Sequence, residues 1–184
     1  DGQQRKLTEQ MLVIADDKKP QGIAGIMGGA KSEVGASTQF VALESAHFHP
    51  VSVRRTSKKL ALNTDAAYRF ERGADISAPI VALERACNLL EQINAGHCIG
   101  PPIDHYPNPQ NPTQVRLRHK RVEHVLGQSI DKNFIDDALK RLGFTLNSVN
   151  SHTWDVTVPH RRVDVTREVD LIEEVARHHG YDQL

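Results

Sequence analysis

The sequence predicts an α+β fold in two parts, and three observations carry that expectation. Short apolar runs punctuated by glycine occupy residues 11–46. Ile80, Leu83, Ala86, Cys87, Leu90 and Ile93 then recur at helical spacing. Between Gly100 and Pro112, Pro101, Pro102, Pro107, Pro109 and Pro112 forbid a regular helix. We therefore expect a first domain over 1–99, a proline-rich linker over 100–112 and a second domain over 113–184. A chain of 184 residues is long enough for two small cores.

Taken in order, Met11 to Ala15 reads as a strand and Asp16 to Pro20 as a turn. A glycine-studded stretch over 22–29 comes next, then a further strand from Gln39 to Ala46. Pro50 suits the first turn of a helix carrying Val51, Val53 and the basic string from Arg54 to Lys59. Asp65 is placed to cap a short turn. The helix around residues 80–93 is expected to stop at Gly96. In the second half, Val115 and Leu117 mark a strand, and Val122, Val125 and Leu126 a short helix closed by Gly127. Asp131 is positioned to cap a helix through Leu142 that Gly143 ends. Two strands, Phe144 to Val149 and Thr153 to Val158, precede a last helix for which Asp164 occupies the capping position. Three short helices with a two-stranded wing resemble a winged-helix arrangement, a shape that does not by itself establish DNA binding.

Composition narrows the function classes. Basic and acidic residues are equal at 23 each, so no global positive field marks a free-standing nucleic-acid binder, and the second half balances as well. Any RNA contact has to be local. One tryptophan and three tyrosines provide no stacking platform for single strands. Cys87 and Cys98 form no CxxC and suit a reducing compartment, no apolar run is long enough to span a bilayer, and no leader pattern opens the chain. These features point to a cytoplasmic protein, and the start at Asp1 reads as the interior of a longer chain.

Four constellations could carry chemistry. Gly25-Ile26-Met27-Gly28-Gly29-Ala30-Lys31-Ser32 nearly spells a phosphate loop, but no helical pattern follows to aim N–H groups at a phosphate. Its glycines fit close approach to a second strand or to a ligand. His47 and His49, on one expected strand face, lack the partners of a zinc site and read as packing or surface histidines. Residues 64–73 alternate charged and aromatic side chains and fit surface pairing as well as a site. Last, Asp170, Glu173 and Glu174 fall at i, i+3 and i+4 behind Asp164. Like charges so close suit a hard cation such as magnesium, while Arg167 and Arg177 offer ordinary pairing to Asp170 and Glu173. His178 and His179 suit the negative end of this helix.

Several strings together resemble the beta subunit of bacterial phenylalanyl-tRNA synthetase. They are Gly25-Ile26-Met27-Gly28-Gly29, Leu43 to Phe48, Arg55-Thr56-Ser57, Asn63 to Gly73 and Asp170 to Arg177, closed by Gly180-Tyr181-Asp182. The resemblance implies a truncated mixed α/β editing domain followed by a small winged-helix-like α+β domain. It implies a parent enzyme of two alpha and two beta subunits that charges the phenylalanine tRNA using ATP and magnesium. ATP is not expected to bind this region, and alone it is expected to be inactive. Asp164, Asp170, Glu173 and Glu174 match the family's magnesium positions, at an ion shared with the alpha subunit. Glu44 matches the acidic residue that recognises the hydroxyl of misattached tyrosine, with Gly25 and Gly28 as a backbone wall and Thr64 and Ala66 shaping the pocket. A family histidine of that pocket belongs to sequence before Asp1. Hydrolysis would use a positioned water, since no nucleophilic triad is recognisable. Three departures stand out. Ala67 replaces a common Ser, Ala61 a common Gly, and His179 the usual aromatic.

Overall fold

A computed structural model describes residues 2–184, and the chain divides into two compact units, 1–104 and 105–184. In the first unit, β1 (Val13–Ala15), β2 (Pro20–Ile23) and β3 (Met27–Gly28) form an antiparallel sheet in that order. Asp16 makes the first turn, its carboxylate accepting the N–H groups of Lys18 at 2.8 Å and Lys19 at 2.7 Å. Gly22 pairs with Gly28, and Gly29 donates to Gln21 O at 2.7 Å. A Cβ at position 29 would stand 2.6 Å from that carbonyl, so Gly29 makes the closest backbone approach in this sheet.

Helix α1 (Pro50–Leu60) begins with Pro50 as expected and ends at Ala61 in the left-handed region, φ 51°. Helix α2 (Asp65–Phe70) is capped by Thr64, whose side-chain oxygen accepts an N–H of the first turn; the expectation for Asp65 is thereby corrected. Ala24, Ile26, Phe48, Val53, Leu62 and Ala67 form a small core, with Phe48 and Phe70 edge to face at 5.0 Å. Helix α3 (Pro79–Gln92) buries none of its residues. It turns back at Asn94, φ 54°, and not at Gly96, because asparagine tolerates that conformation and Ala95 N–H can then reach Leu90 O.

The strand expected from Gln39 to Ala46 does not form. Residues 39–49 have no regular structure, and Phe40, Val41 and Leu43 point outward. An extended run needs a partner ladder, and among the described residues none lies alongside it. His47 and His49 consequently share no strand face.

The second unit is denser. Its sheet runs β4 (Gln114–Arg118), β6 (Thr153–Thr157), β5 (Thr145–Asn150), all antiparallel, so the expected two-stranded wing has a third strand at its inner edge. Leu117 faces Trp154 across that pairing. Helix α4 (His119–Leu126) stops at Gly127, φ 75°, and α5 (Lys132–Arg141) starts at the Asp131 cap. Helix α6 (Glu168–His179) closes the unit with Leu171, Ile172 and Val175 at 1% exposure or less. Its N-cap is Arg167, which corrects the assignment of Asp164: Asp170, at the third helical position, reaches back to the cap N–H. Asp164 lies four residues before the helix, in a turn.

Candidate functional site

In the first unit the structure gathers part of the predicted pocket. Thr64 Oγ1 accepts Ala67 N–H at 3.1 Å and donates to Ile26 O at 2.8 Å. One hydroxyl thus joins the start of α2 to the turn between Gly25 and Gly28. Gly25, φ +67°, meets the same cluster from the other side: a Cβ there would lie 2.9 Å from the Phe48 ring and 3.2 Å from Phe70 and Val53. Ala66 is half-buried on α2 beside fully buried Ala67, where any added hydroxyl would need a partner. Gly28 is exposed, with open space where a side chain would project.

Glu44 stands four residues before Phe48 in the irregular segment. It is exposed and has no hydrogen bond or ion pair among the described residues, and partial desolvation pushes its carboxyl above the usual range. Its chain therefore leads into the Gly25 cluster, while its side chain is tied to none of Gly25, Gly28, Thr64 or Ala66. Next to it, His47 is held below the usual imidazole range by burial and by His49, against the pull of Asp75. A hollow of about 240 Å³ also opens on this unit, lined by Glu9, Met11, Ala24, Phe48, His49 and Thr56 among others. None of the five predicted pocket residues lines it.

The acidic cluster of the second unit is arranged around arginine. Glu174, 4% exposed, accepts Arg162 Nη2 and Arg177 Nη1 on the same oxygen, each at 2.8 Å. Arg162 also grips Asp164, Nε to Oδ1 at 2.9 Å and Nη2 to Oδ2 at 2.6 Å. That guanidinium holds the Asp164 carboxyl below its usual range. Asp170 is spent on the helix start: Oδ2 accepts Thr166 N–H at 2.9 Å and Arg167 N–H at 2.7 Å, which lowers its pKa. Glu173 is exposed, and Arg177 pairs with Glu174 in its place.

Residues 1–95 match the family described as B3/4 domain, and residues 115–181 match the tRNA synthetase B5 domain. The chain belongs to the B3/4 domain family and carries a B5 domain. Its whole length is 43% identical to the phenylalanine–tRNA ligase beta subunit of Geobacter metallireducens, covering 23% of that protein. Identity is 44% to the beta subunit of Geobacter sulfurreducens and 42% to that of Salinibacter ruber, covering 23% and 22% of them. The B3/4–B5 chain therefore spans less than a quarter of the length of these relatives. The resemblance read from the sequence holds from end to end.

Magnesium, implied for the B5 carboxylates, can be tested against their chemistry. The ion needs oxygens at about 2.0–2.1 Å in near-octahedral array. Here Asp164 and one Glu174 oxygen are engaged by guanidinium, Asp170 Oδ2 by backbone N–H groups, and no group of three or more acidic, histidine or cysteine side chains able to hold a metal occurs among the described residues. In this arrangement Asp164, Asp170 and Glu174 do not jointly present the oxygens the ion needs, and exposed Glu173 cannot supply them alone.

Two features escaped the sequence reading. Arg162 stands in the string that precedes Asp164, and a basic residue two positions before a carboxylate was the available signal. The pair Arg118–Glu168 was not readable, because fifty residues separate them. Arg118 donates from Nε at 3.0 Å and Nη2 at 2.6 Å, fastening β4 to the start of α6 and holding Glu168 below its usual range. Beside Arg118, Lys120, Arg121, His124 and His152 rim an open hollow of about 390 Å³, a local basic patch on a chain of balanced charge.

Proposed function

We propose that this chain works within a phenylalanine–tRNA ligase beta subunit, where its B3/4 unit supplies one wall of a hydrolytic editing pocket for tyrosine misattached to the phenylalanine tRNA. The observation that carries this reading is the Glu44 carboxylate, an acceptor with no partner among the described residues. A pocket that admits phenylalanine cannot strongly reject an analogue that only adds a hydroxyl. A second site must therefore recognise that oxygen, and an unpaired carboxylate accepts a hydrogen bond from it. The Thr64 hydroxyl is committed to Ile26 and Ala67, so its role is to fix the wall and not to touch the ester. Hydrolysis then rests on a water positioned by that wall and by residues outside this chain.

The test uses the complete alpha and beta enzyme carrying this sequence, charged with tyrosine in place of phenylalanine. Glu44→Ala should let tyrosyl-tRNA accumulate while phenylalanine charging stays intact. Unchanged clearance would remove Glu44 from recognition.

The B5 unit supports a second, non-catalytic reading as an interaction module for the alpha subunit or for tRNA. The patch of Lys120, Arg121 and His124 favours the RNA phosphate backbone. Replacing Lys120 and Arg121 with alanine should weaken tRNA binding and flatten its salt dependence by about two phosphate contacts. An unaltered slope would leave the alpha subunit as the partner of this unit, approached through exposed Val169 and Glu173, which are neighbours on α6.

A further inference from the structure

We infer that Arg162 is the resident cation of the acidic cluster, so that this chain folds without a divalent ion and a metal reaches Asp164 and Glu174 only when Arg162 leaves. The first support is burial. The Glu174 side chain is 5% exposed and that of Arg162 18% exposed, so neither charge is left to water and each depends on the other. The second is occupancy. One Glu174 oxygen already takes two guanidinium donors, and Asp164 takes a two-pronged grip from the same Arg162 that reaches Glu174.

The third support is that the backbone holds Arg162 in place before any side chain closes. Arg162 N–H donates to Pro159 O at 2.8 Å, and Val165 N–H returns to Arg162 O at 3.2 Å. Val158 and Val165, both 2% exposed, anchor this turn in the core at either end, and the guanidinium lies 5.4 Å from the Phe144 ring. A cation built on an anchored turn costs little entropy to place, whereas magnesium would have to shed water and displace it. Asp170 Oδ2 is held by the N–H groups that start α6, and its Oδ1 faces Arg167 Nη2 at 3.3 Å. Arg162 and a divalent ion are therefore alternatives at one position.

The experiment follows thermal unfolding of the chain by emission of Trp154, its single tryptophan and a buried residue of the second unit. Millimolar MgCl2 is compared with NaCl at matched ionic strength. The native chain should melt at the same temperature in both salts. Arg162→Gln should melt lower in NaCl and gain about 4 °C or more in MgCl2, the response of a protein whose folded state alone binds the ion. A native chain that magnesium stabilises, with the gain lost in Asp164→Asn, overturns the inference, and so does a folded Arg162→Gln indifferent to magnesium. Should Arg162→Gln fail to fold, Mn2+ added to the native chain decides: sharp amide resonances over 162–176 uphold the inference, and selective broadening there refutes it.

Discussion

The two units of this chain spend their residues differently. The second gathers fourteen buried apolar side chains into one core, from Val115 to Val175, and three of its carboxylates, Asp164, Glu168 and Glu174, are each matched to an arginine. The first is longer, yet its buried core has six members, two of them alanines, and α3 fully buries none of its residues. It leaves Glu44 unpaired among the described residues, on an irregular segment, and Phe40, Val41 and Leu43 facing outward. The contrast fits the proposed division of labour between the two units. A unit whose buried carboxylate is answered by its own arginines is suited to holding a shape, while an open acceptor on a loop is available to a partner.

The largest blow to this contrast should come from Leu171→Ala. Leu171 is fully buried, and its truncation should cost about 3–5 kcal/mol. Trp154 emission in urea would register the loss, because the only tryptophan reports on the second unit alone. Next comes Gly25→Ala. The added methyl meets Phe48 at 2.9 Å at a backbone angle that disfavours side chains, for a loss of about 1–3 kcal/mol. Amide exchange should then accelerate around Ile26 and Thr64 while the Trp154 transition stays put. If both variants moved the same single transition, the two units would not be energetically separate.

Acid should sharpen the contrast further. Asp164, Glu168 and Asp170 have folded pKa values below the ordinary 3.8 and 4.5, so the unfolded chain binds more protons and stability rises with pH. Their contribution is complete above about pH 5 and is lost as pH falls through the depressed folded values. Asp164 gives the least, because its side chain is 60% exposed and solvent screens it. Glu44 has the opposite sign, since its raised folded value means that protonation favours the folded state. Urea midpoints of the Trp154 transition between pH 3 and pH 6 should therefore fall with acid. The smallest effect belongs to Ala61→Gly. Ala61 ends α1 at φ 51°, so glycine should add about 0.5–1 kcal/mol, seen as a higher exchange-derived stability of α1.

How much of this was legible follows from the range of the forces. Local signals read well: Pro50 opens α1, Asp131 caps α5, and Gly127 and Gly143 follow helix ends in the left-handed region. Capping failed where two candidates stood side by side or a side chain reached backwards, as with Thr64 beside Asp65 and with Asp170 serving the Arg167 cap. The strand from Gln39 to Ala46 failed because pairing is a property of two segments, and its apolar residues carry no trace of a missing partner. At the site, motif strings marked Gly25, Thr64 and Ala66, and the Thr64–Ile26 bond draws them together across 38 residues. The spacing of Arg162 and Asp164 hinted at their pairing, but the reach of Arg162 to Glu174 was not legible, since the turn that aims it is anchored by Val158 and Val165 in the core.

The most direct measurement is the ratio of kcat/KM for hydrolysis of tyrosyl and phenylalanyl esters of the phenylalanine tRNA by the complete enzyme, before and after Glu44→Ala. A hydrogen bond from the tyrosine hydroxyl to this carboxylate is worth about 1.5–3 kcal/mol, so the preference for tyrosine should fall by roughly 10- to 100-fold. A ratio that survives the substitution intact would contradict the assignment of recognition to the open, unpaired unit.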